Sequence, residues 1–283
     1  MIGLHLEPYK TERLDTYLTE VTIMAKTDIG LSMLHCLGEP FSSLCQRLQE
    51  ATVNYVELID DGWHRLNKGR VKKLKEIGES QGLTYTLHAP FANINIATPA
   101  EDMRNFFLKR LEESMGFARQ LECRLTVFHP GLRTGISDFY PGVDWKTNIE
   151  SVQKLLRLSR KHGVEIAIEN VPEQFGFLVA NVEQFSRFFN ELGKDIGLVL
   201  DVGHSNINGQ THAFIEAFGE KIIHVHAHDN DGKQDLHLGV GSGTVNWQQF
   251  AEDTKKTRFE GIVMVESYYN IKESIVKLQK LLT

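Results

Sequence analysis

The feature that most constrains the fold is a regular alternation of short apolar runs and longer amphipathic segments. From residue 29 onward the short runs are rich in β-branched and apolar residues and are bounded by turn-forming residues, a pattern typical of strands. The segments between them carry apolar residues at i, i+3, i+4 and i+7, which is the spacing of amphipathic helices. Eight strands are predicted, over residues 29–35, 53–59, 83–89, 124–130, 164–170, 196–202, 222–228 and 261–267.

Eight near-continuously apolar strands, each followed by a helix, predict a single (β/α)8 TIM barrel of class α/β. A chain of 283 residues is within the range of one such domain. The alternative, an open doubly wound sheet, more often carries a GxGxxG motif after its first strand, and strand 1 is not followed by one. We therefore predict a barrel over residues 29–283 and an N-terminal extension over residues 1–28, which covers the barrel or mediates an oligomer contact.

The composition of the chain bears on the cellular location of the protein and on the kind of molecule it binds. No apolar run approaches the roughly 18–20 residues of a membrane span, and the N-terminus shows no secretory leader pattern. Three cysteines without a CxxC pair suit a reducing compartment, so we predict a soluble, cytoplasmic protein. The net charge of −6 gives no sign of the positively charged surface that nucleic-acid-binding proteins carry. This favours a small-molecule partner without excluding DNA.

Six consecutive predicted strands each end in a carboxylate or an imidazole. In a (β/α)8 barrel these carboxyl ends and their loops form one open face, where active sites lie. Burying such groups side by side without partners is costly, and a divalent cation relieves that cost. The pattern therefore predicts a metal site whose candidate ligands are His88, His129, Glu169, Asp201, His226 and Glu266.

Three further residues fit the same face: His204 on the turn after strand 6, and the Asp235 and His237 pair in the loop after strand 7. His224 and His228 alternate with His226 and so share one side of strand 7 if the strand stays extended. We interpret His224 and His228 as hydrogen-bond donors beside the site or as core residues.

Two other kinds of site are disfavoured. A Schiff-base aldolase barrel needs a lysine at a strand end, and no predicted strand ends in one. The glycine run GVGSG (239–243) follows a loop rather than a strand, so it is at best a contact for a substrate phosphate and otherwise a plain turn.

The motifs LHAPFANINIA, VFHPG, IEN, LDVGH, HVHAHDNDGKQDLHLGVGSGTVNW and MVES resemble those of the xylose isomerase-like barrels, a superfamily that includes AP endonuclease family 2 (endonuclease IV). In endonuclease IV nine such side chains bind three zinc ions, and the resemblance implies nine ligands here: His88, His129, Glu169, Asp201, His204, His226, Asp235, His237 and Glu266. In the related sugar isomerases and epimerases a smaller set binds one divalent ion, often manganese. That set corresponds to Glu169, Asp201, His226 and Glu266, and its two glutamates move protons.

The resemblance leaves two enzymatic functions open. The preferred one is a metal-dependent sugar or sugar-phosphate isomerase or epimerase with Glu169 and Glu266 as catalytic residues. The alternative is an endonuclease IV-like zinc phosphodiesterase acting on abasic-site DNA or another phosphoester, which the complete set of nine favours. The chain has neither a GAHVS-like strand 1 nor an NPR-type DNA-contacting loop after strand 2, and these two departures from endonuclease IV favour the isomerase or epimerase function. A barrel that only binds a ligand is the third interpretation.

The expected cofactor is zinc or manganese, between one and three ions per chain.

Overall fold

The computed structural model describes residues 27–282, and their strands close into one barrel. All neighbouring strands pair in parallel in chain order, and β1 pairs with both β2 and β8. The predicted (β/α)8 barrel is therefore confirmed. The strands are β1 Asp28–Ser32, β2 Tyr55–Ile59, β3 Thr84–His88, β4 Thr126–Phe128, β5 Ile166–Glu169, β6 Gly197–Asp201, β7 Ile222–Ala227 and β8 Ile262–Val265.

The described part of the chain has nine α-helices, one more than the eight predicted. The extra helix, α6, follows β6 directly because the Asp201 side chain accepts the backbone N–H of His204 at 2.6 Å and caps it. The helices are α1 Phe41–Gln49, α2 Lys68–Gln81, α3 Glu101–Gln120, α4 Val143–His162, α5 Val182–Leu192, α6 Val202–Ile207, α7 Thr211–Phe218, α8 Trp247–Lys256 and α9 Ile271–Leu282.

The first strand is shorter than predicted. It ends at Ser32, whose hydroxyl accepts the backbone N–H of Leu34 and starts a 3₁₀ turn over Met33–Cys36. His35 therefore lies on this turn and not on the strand. Residues 1–26 of the predicted N-terminal extension lie outside the described residues, and Asp28 already belongs to β1.

The alternation of side chains along each strand separates an outer core from the barrel interior. Outward residues such as Leu58, Leu87 and Leu200 join the main apolar core with the helices. Inward residues include a small separate apolar cluster containing Val127 and Val199, and polar side chains fill much of the remaining interior. The barrel axis is thus lined by polar groups near the carboxyl ends of the strands.

Two findings bear on the compositional arguments. Cys36, Cys45 and Cys123 are all free thiols. Within residues 27–282, no helix combines the length and apolarity that a membrane crossing requires.

Candidate metal centre

Seven imidazoles and five carboxylates meet at and just inside the carboxyl ends of the strands. They form four groups in which the potential ligand atoms of all members lie within 4.8 Å of one another. All nine residues that the sequence nominated are among them, and three more join them. The twelve are Glu57, His88, His129, Glu169, Asp201, His204, His224, His226, His228, Asp235, His237 and Glu266.

The central subsite consists of Glu169, Asp201, His226 and Glu266. Nδ1 of His226 lies 3.3 Å from Oε1 of Glu169, 3.4 Å from Oε2 of Glu266 and 4.0 Å from Oδ2 of Asp201. All four residues are buried, and neither His226 Nδ1 nor Asp201 Oδ2 has a hydrogen-bond partner. Buried, converging and unpartnered polar atoms of these types fit a divalent cation.

The β3–β4 subsite consists of His88, His129 and Glu169. Nε2 of each histidine lies 3.2 Å from Oε2 of Glu169, so the two oxygens of this carboxylate face two different subsites. Nδ1 of His88 lies 2.9 Å from the carbonyl oxygen of Ala89, an acceptor that keeps a proton on Nδ1, so Nε2 is the atom that faces Glu169 and the subsite.

The β7-loop subsite consists of His204, His228, Asp235 and His237. Oδ2 of Asp235 lies 3.3 Å from Nε2 of His204 and 3.4 Å from Nε2 of His237, and Oδ1 lies 3.6 Å from Nε2 of His228. Sequence reasoning nominated three of these residues and missed His228 as a candidate ligand. The available signal was its alternation with His226 along β7.

Beneath the central subsite lies a floor cluster of Glu57, His224 and His226. Glu57 is inside the barrel, accepts the Thr86 hydroxyl at 3.0 Å, and lies 3.3 Å from His224 Nε2 and 3.0 Å from His226 Nε2. The two imidazole contacts have ion-pair distances but not the alignment of a hydrogen bond. Sequence reasoning missed Glu57, which sits in mid-strand. The one charged residue in the apolar run YVELI was the signal.

The pKa values of the two candidate catalytic glutamates, Glu169 and Glu266, are shifted in opposite directions. Burial raises the pKa of Glu169, but the imidazoles of His226 and His129 outweigh it and hold that pKa well below its ordinary value. Burial also raises the pKa of Glu266, and here His226 and His237 do not cancel the effect, so this pKa lies above its ordinary value. In the metal-free protein, protons therefore bind Glu266 more readily than Glu169.

A cavity of about 220 Å³ opens onto these subsites. Glu169 and Glu266 line it together with aromatic side chains, namely Phe91, Phe175, Phe177 and Tyr268. Among the described residues that line it, none is a lysine or an arginine. The cavity is thus small, largely apolar in its walls, and without a lysine or arginine among its described lining residues.

The glycine run after β7 forms a turn that is held by hydrogen bonds within its own loop. The Asp229 carboxylate accepts the backbone N–H groups of Gly241 and Val245 and the indole N–H of Trp247, at 2.8 to 3.0 Å. These contacts favour the interpretation of this run as a turn.

Fold and side chains together define a (β/α)8 barrel that gathers metal-ligand residue types from seven successive strands, β2 to β8, and their loops. Residues 45–282 match the profile of the xylose isomerase-like TIM barrel family, AP endonuclease 2, and the chain belongs to this family. The resemblance inferred from the motifs is therefore confirmed.

The proteins to which this chain is similar include an epimerase-like protein and a probable endonuclease. A solved D-tagatose 3-epimerase-like protein superposes with a TM-score of 0.85 and 26% identity, over 90% of this chain and 97% of its own. A probable endonuclease 4 of Aquifex aeolicus is 26% identical over 61% of this chain and 66% of its own length. An uncharacterized protein of Methanocaldococcus jannaschii is 32% identical over 85% of this chain and 91% of its own.

Proposed function

We propose that this protein is a divalent-metal-dependent epimerase or isomerase of a small ketose. The observation that carries the proposal is the placement of Glu169 and Glu266, whose carboxylates lie within 3.4 Å of the same nitrogen of His226 and line one small cavity. Two carboxylates beside a shared substrate position are what proton transfer at carbon requires.

The residues fit a divalent ion. With neutral imidazoles, the five carboxylates of the twelve-residue assembly would carry five negative charges in the interior, and divalent cations would offset them. Glu169, Asp201, His226 and Glu266 would hold the ion in the central subsite, where it would polarise a ketose carbonyl and the neighbouring hydroxyl. Mixed imidazole and carboxylate ligands suit zinc or manganese.

The proton transfers are assigned to the two glutamates. One carboxylate removes the proton from the carbon next to the carbonyl, and the other returns a proton to the opposite face of that carbon. The product is then the epimer. Return of the proton to the former carbonyl carbon, together with transfer of the hydroxyl proton between the two oxygens so that the carbonyl moves to the other carbon, would give the isomer. The Ser32 hydroxyl donates to Oε1 of Glu266 at 3.0 Å and orients that carboxylate, while His88 and His129 hold Glu169 from the other side.

The cavity supports a monosaccharide-sized substrate. Its volume of about 220 Å³ is below the usual range of drug-sized ligand sites, and its aromatic walls suit the C–H faces of a sugar ring or chain. Without a lining lysine or arginine, the described cavity offers a phosphate neither a guanidinium nor an ammonium group, which favours a neutral sugar over a sugar phosphate.

A second candidate function is phosphodiester hydrolysis. It is supported by the full set of nine residues and by Glu169, which joins the central and β3–β4 subsites as a shared ligand would in a multinuclear site. The similarity to a probable endonuclease 4 points the same way.

One experiment separates the two functions. The protein loaded with manganese or zinc is incubated in D₂O with neutral ketopentoses, ketohexoses and their phosphates, and in parallel with an abasic-site duplex. We expect deuterium to enter the carbon next to the carbonyl of at least one neutral ketose, together with its epimer or isomer, as seen by NMR. Cleavage of the duplex without turnover of any sugar would reject the proposal in favour of phosphodiester hydrolysis.

A further inference from the structure

We infer that Asn170 is a positioning residue of the metal centre, whose side-chain amide holds Asp201 in its ligand position before any ion binds. Asn170 directly follows the candidate catalytic residue Glu169, is fully buried, and does not line the cavity. It acts through Asp201 and His204 and not by contact with substrate. The inference rests on the metal dependence stated in the proposed function, and it holds whichever substrate is turned over.

The amide of Asn170 continues the pairing of β5 with β6 beyond the end of β5. The last residue of β5, Glu169, pairs with Val199, and the backbone N–H of Asn170 donates to the carbonyl of Val199 at 3.3 Å. Beyond this point the side chain takes the place of the backbone. Oδ1 of Asn170 accepts the backbone N–H of Asp201 at 2.7 Å, and Nδ2 donates to the carbonyl of Asp201 at 3.0 Å.

The two contacts explain why the residue is an asparagine. Holding both backbone groups of one residue requires an acceptor and a donor side by side in one plane, as in a peptide group. The amide of asparagine has this pair, whereas a carboxylate lacks the donor and a hydroxyl has a single oxygen. Asp201 is fully buried, so its backbone N–H and C=O would lose these partners with no access to water if the amide were removed.

The carboxylate of Asp201 is fixed as well, with one oxygen left over. Oδ1 accepts the backbone N–H of His204 at 2.6 Å and so caps α6. Oδ2 is buried without a hydrogen-bond partner and lies 4.0 Å from Nδ1 of His226, in the central subsite. Because Asn170 holds the backbone of Asp201 and His204 holds Oδ1, Oδ2 is the oxygen that remains for an ion.

The backbone of Asn170 orients a second candidate ligand. Its carbonyl oxygen lies 2.8 Å from Nδ1 of His204. An acceptor there keeps a proton on Nδ1, so Nε2 is the atom that faces Asp235 Oδ2, at 3.3 Å, and the β7-loop subsite. One residue outside the ligand set thus orients a ligand in each of two subsites.

The first test is the zinc affinity of variants, measured by competition with a chelator after circular dichroism has confirmed folding. Asn170→Ser leaves room for a water molecule, and Asn170→Thr keeps nearly the volume of asparagine. Neither side chain can pair with both backbone groups of Asp201. We expect each variant to bind zinc about 10- to 100-fold more weakly than the wild type, the usual effect of losing such a partner.

Asn148→Ser is the matched control. Asn148 is as buried as Asn170 and also accepts a backbone N–H, that of Gly131 at 2.8 Å, but Gly131 is not a candidate ligand. We expect wild-type affinity in this variant. A folded Asn170 variant with wild-type affinity would overturn the inference, as would an equal loss in Asn148→Ser. A wild type that binds no divalent ion would reject the proposed function and the inference with it, so the two failures can be told apart.

A second measurement needs no variant and is therefore unaffected by misfolding. Hydrogen exchange of the backbone N–H of Asp201 is followed by NMR in the metal-free wild type. We expect it to be about as slow as that of Ala89, whose N–H donates to the carbonyl of Val127 at 2.8 Å. If the Asp201 N–H exchanges as fast as an exposed loop amide and slows only when zinc is added, the ion and not Asn170 fixes Asp201, and the inference is wrong.

Discussion

Oε1 of Glu57 lies 3.0 Å from Nε2 of His226, while Nδ1 of the same ring lies 3.3 Å from Oε1 of Glu169. The imidazole thus stands between a carboxylate inside the barrel and the central subsite at its mouth. A carboxylate on the far nitrogen favours the tautomer whose other nitrogen binds metal and makes that nitrogen a stronger donor. We therefore expect Glu57 to act on the centre through the charge it places 3.0 Å from His226 Nε2.

Replacing Glu57 by Gln should weaken metal binding without removing any ligand. Partners of this kind typically contribute about 10- to 100-fold in affinity, and we expect a loss of that size at the central subsite. The measurement is competition with a chelator of known affinity. Exposed Glu79, replaced in the same way, is the control. Wild-type affinity in Glu57→Gln would show that this carboxylate only fills space.

Glu266→Gln should lower turnover far more than metal content. The amide keeps an oxygen toward the subsite but cannot exchange a proton with the substrate, so we expect a loss of about 10²- to 10⁴-fold in kcat. The readout is deuterium incorporation at the substrate carbon, with zinc content measured on the same sample. Exposed Glu260, changed to Gln, should behave as wild type. Full activity in Glu266→Gln would remove this residue from the mechanism.

Metal removal should destabilise the fold. Each ion that binds only the folded state adds about 2.7 kcal/mol when its free concentration is one hundred times Kd. We therefore expect chelation to lower Tm by several degrees, and added zinc to restore it. Chelator already saturated with zinc is the control. An unchanged Tm in protein shown to be metal-free would mean that the buried acids and imidazoles satisfy one another.

Gly203→Ala should displace the His228 ring, because the new methyl group would occupy its position, and so disturb the β7-loop subsite next to it. We expect one zinc ion fewer per chain. Gly116→Ala in α3 is the matched control, since the nearest atom to its added Cβ is 3.9 Å away. Unchanged zinc content in Gly203→Ala would mean that the ring can move without loss of the site.

Local patterns in the sequence were enough to predict the barrel and most of the candidate ligands at the carboxyl ends of its strands. Strand 3, predicted at residues 83–89, is observed at Thr84–His88, because alternation and turn residues are local signals. The first strand was predicted to end three residues too late, at residue 35 and not at Ser32, because the capping of the 3₁₀ turn by Ser32 overrides the apolar pattern there. The same kind of cap, supplied by Asp201, produced the unpredicted α6.

The interior of the centre could not be predicted in the same way. Glu57 and His224 lie on strands that are not neighbours in the barrel, and only the closed structure shows that the two side chains meet across it. The position of His228 likewise depends on the space at Gly203 and on the stack with His237, neither of which a spacing rule contains.

Glu169 meets His88 and His129 across 81 and 40 residues of chain. An ion held among these three side chains would act as a reversible cross-link that closes two long loops at once. Such a cross-link restricts the unfolded chain as a disulfide does, in a chain whose three cysteines are all free thiols. Ion release would then be a step in unfolding, so a more tightly held ion would slow unfolding as well as raise Tm.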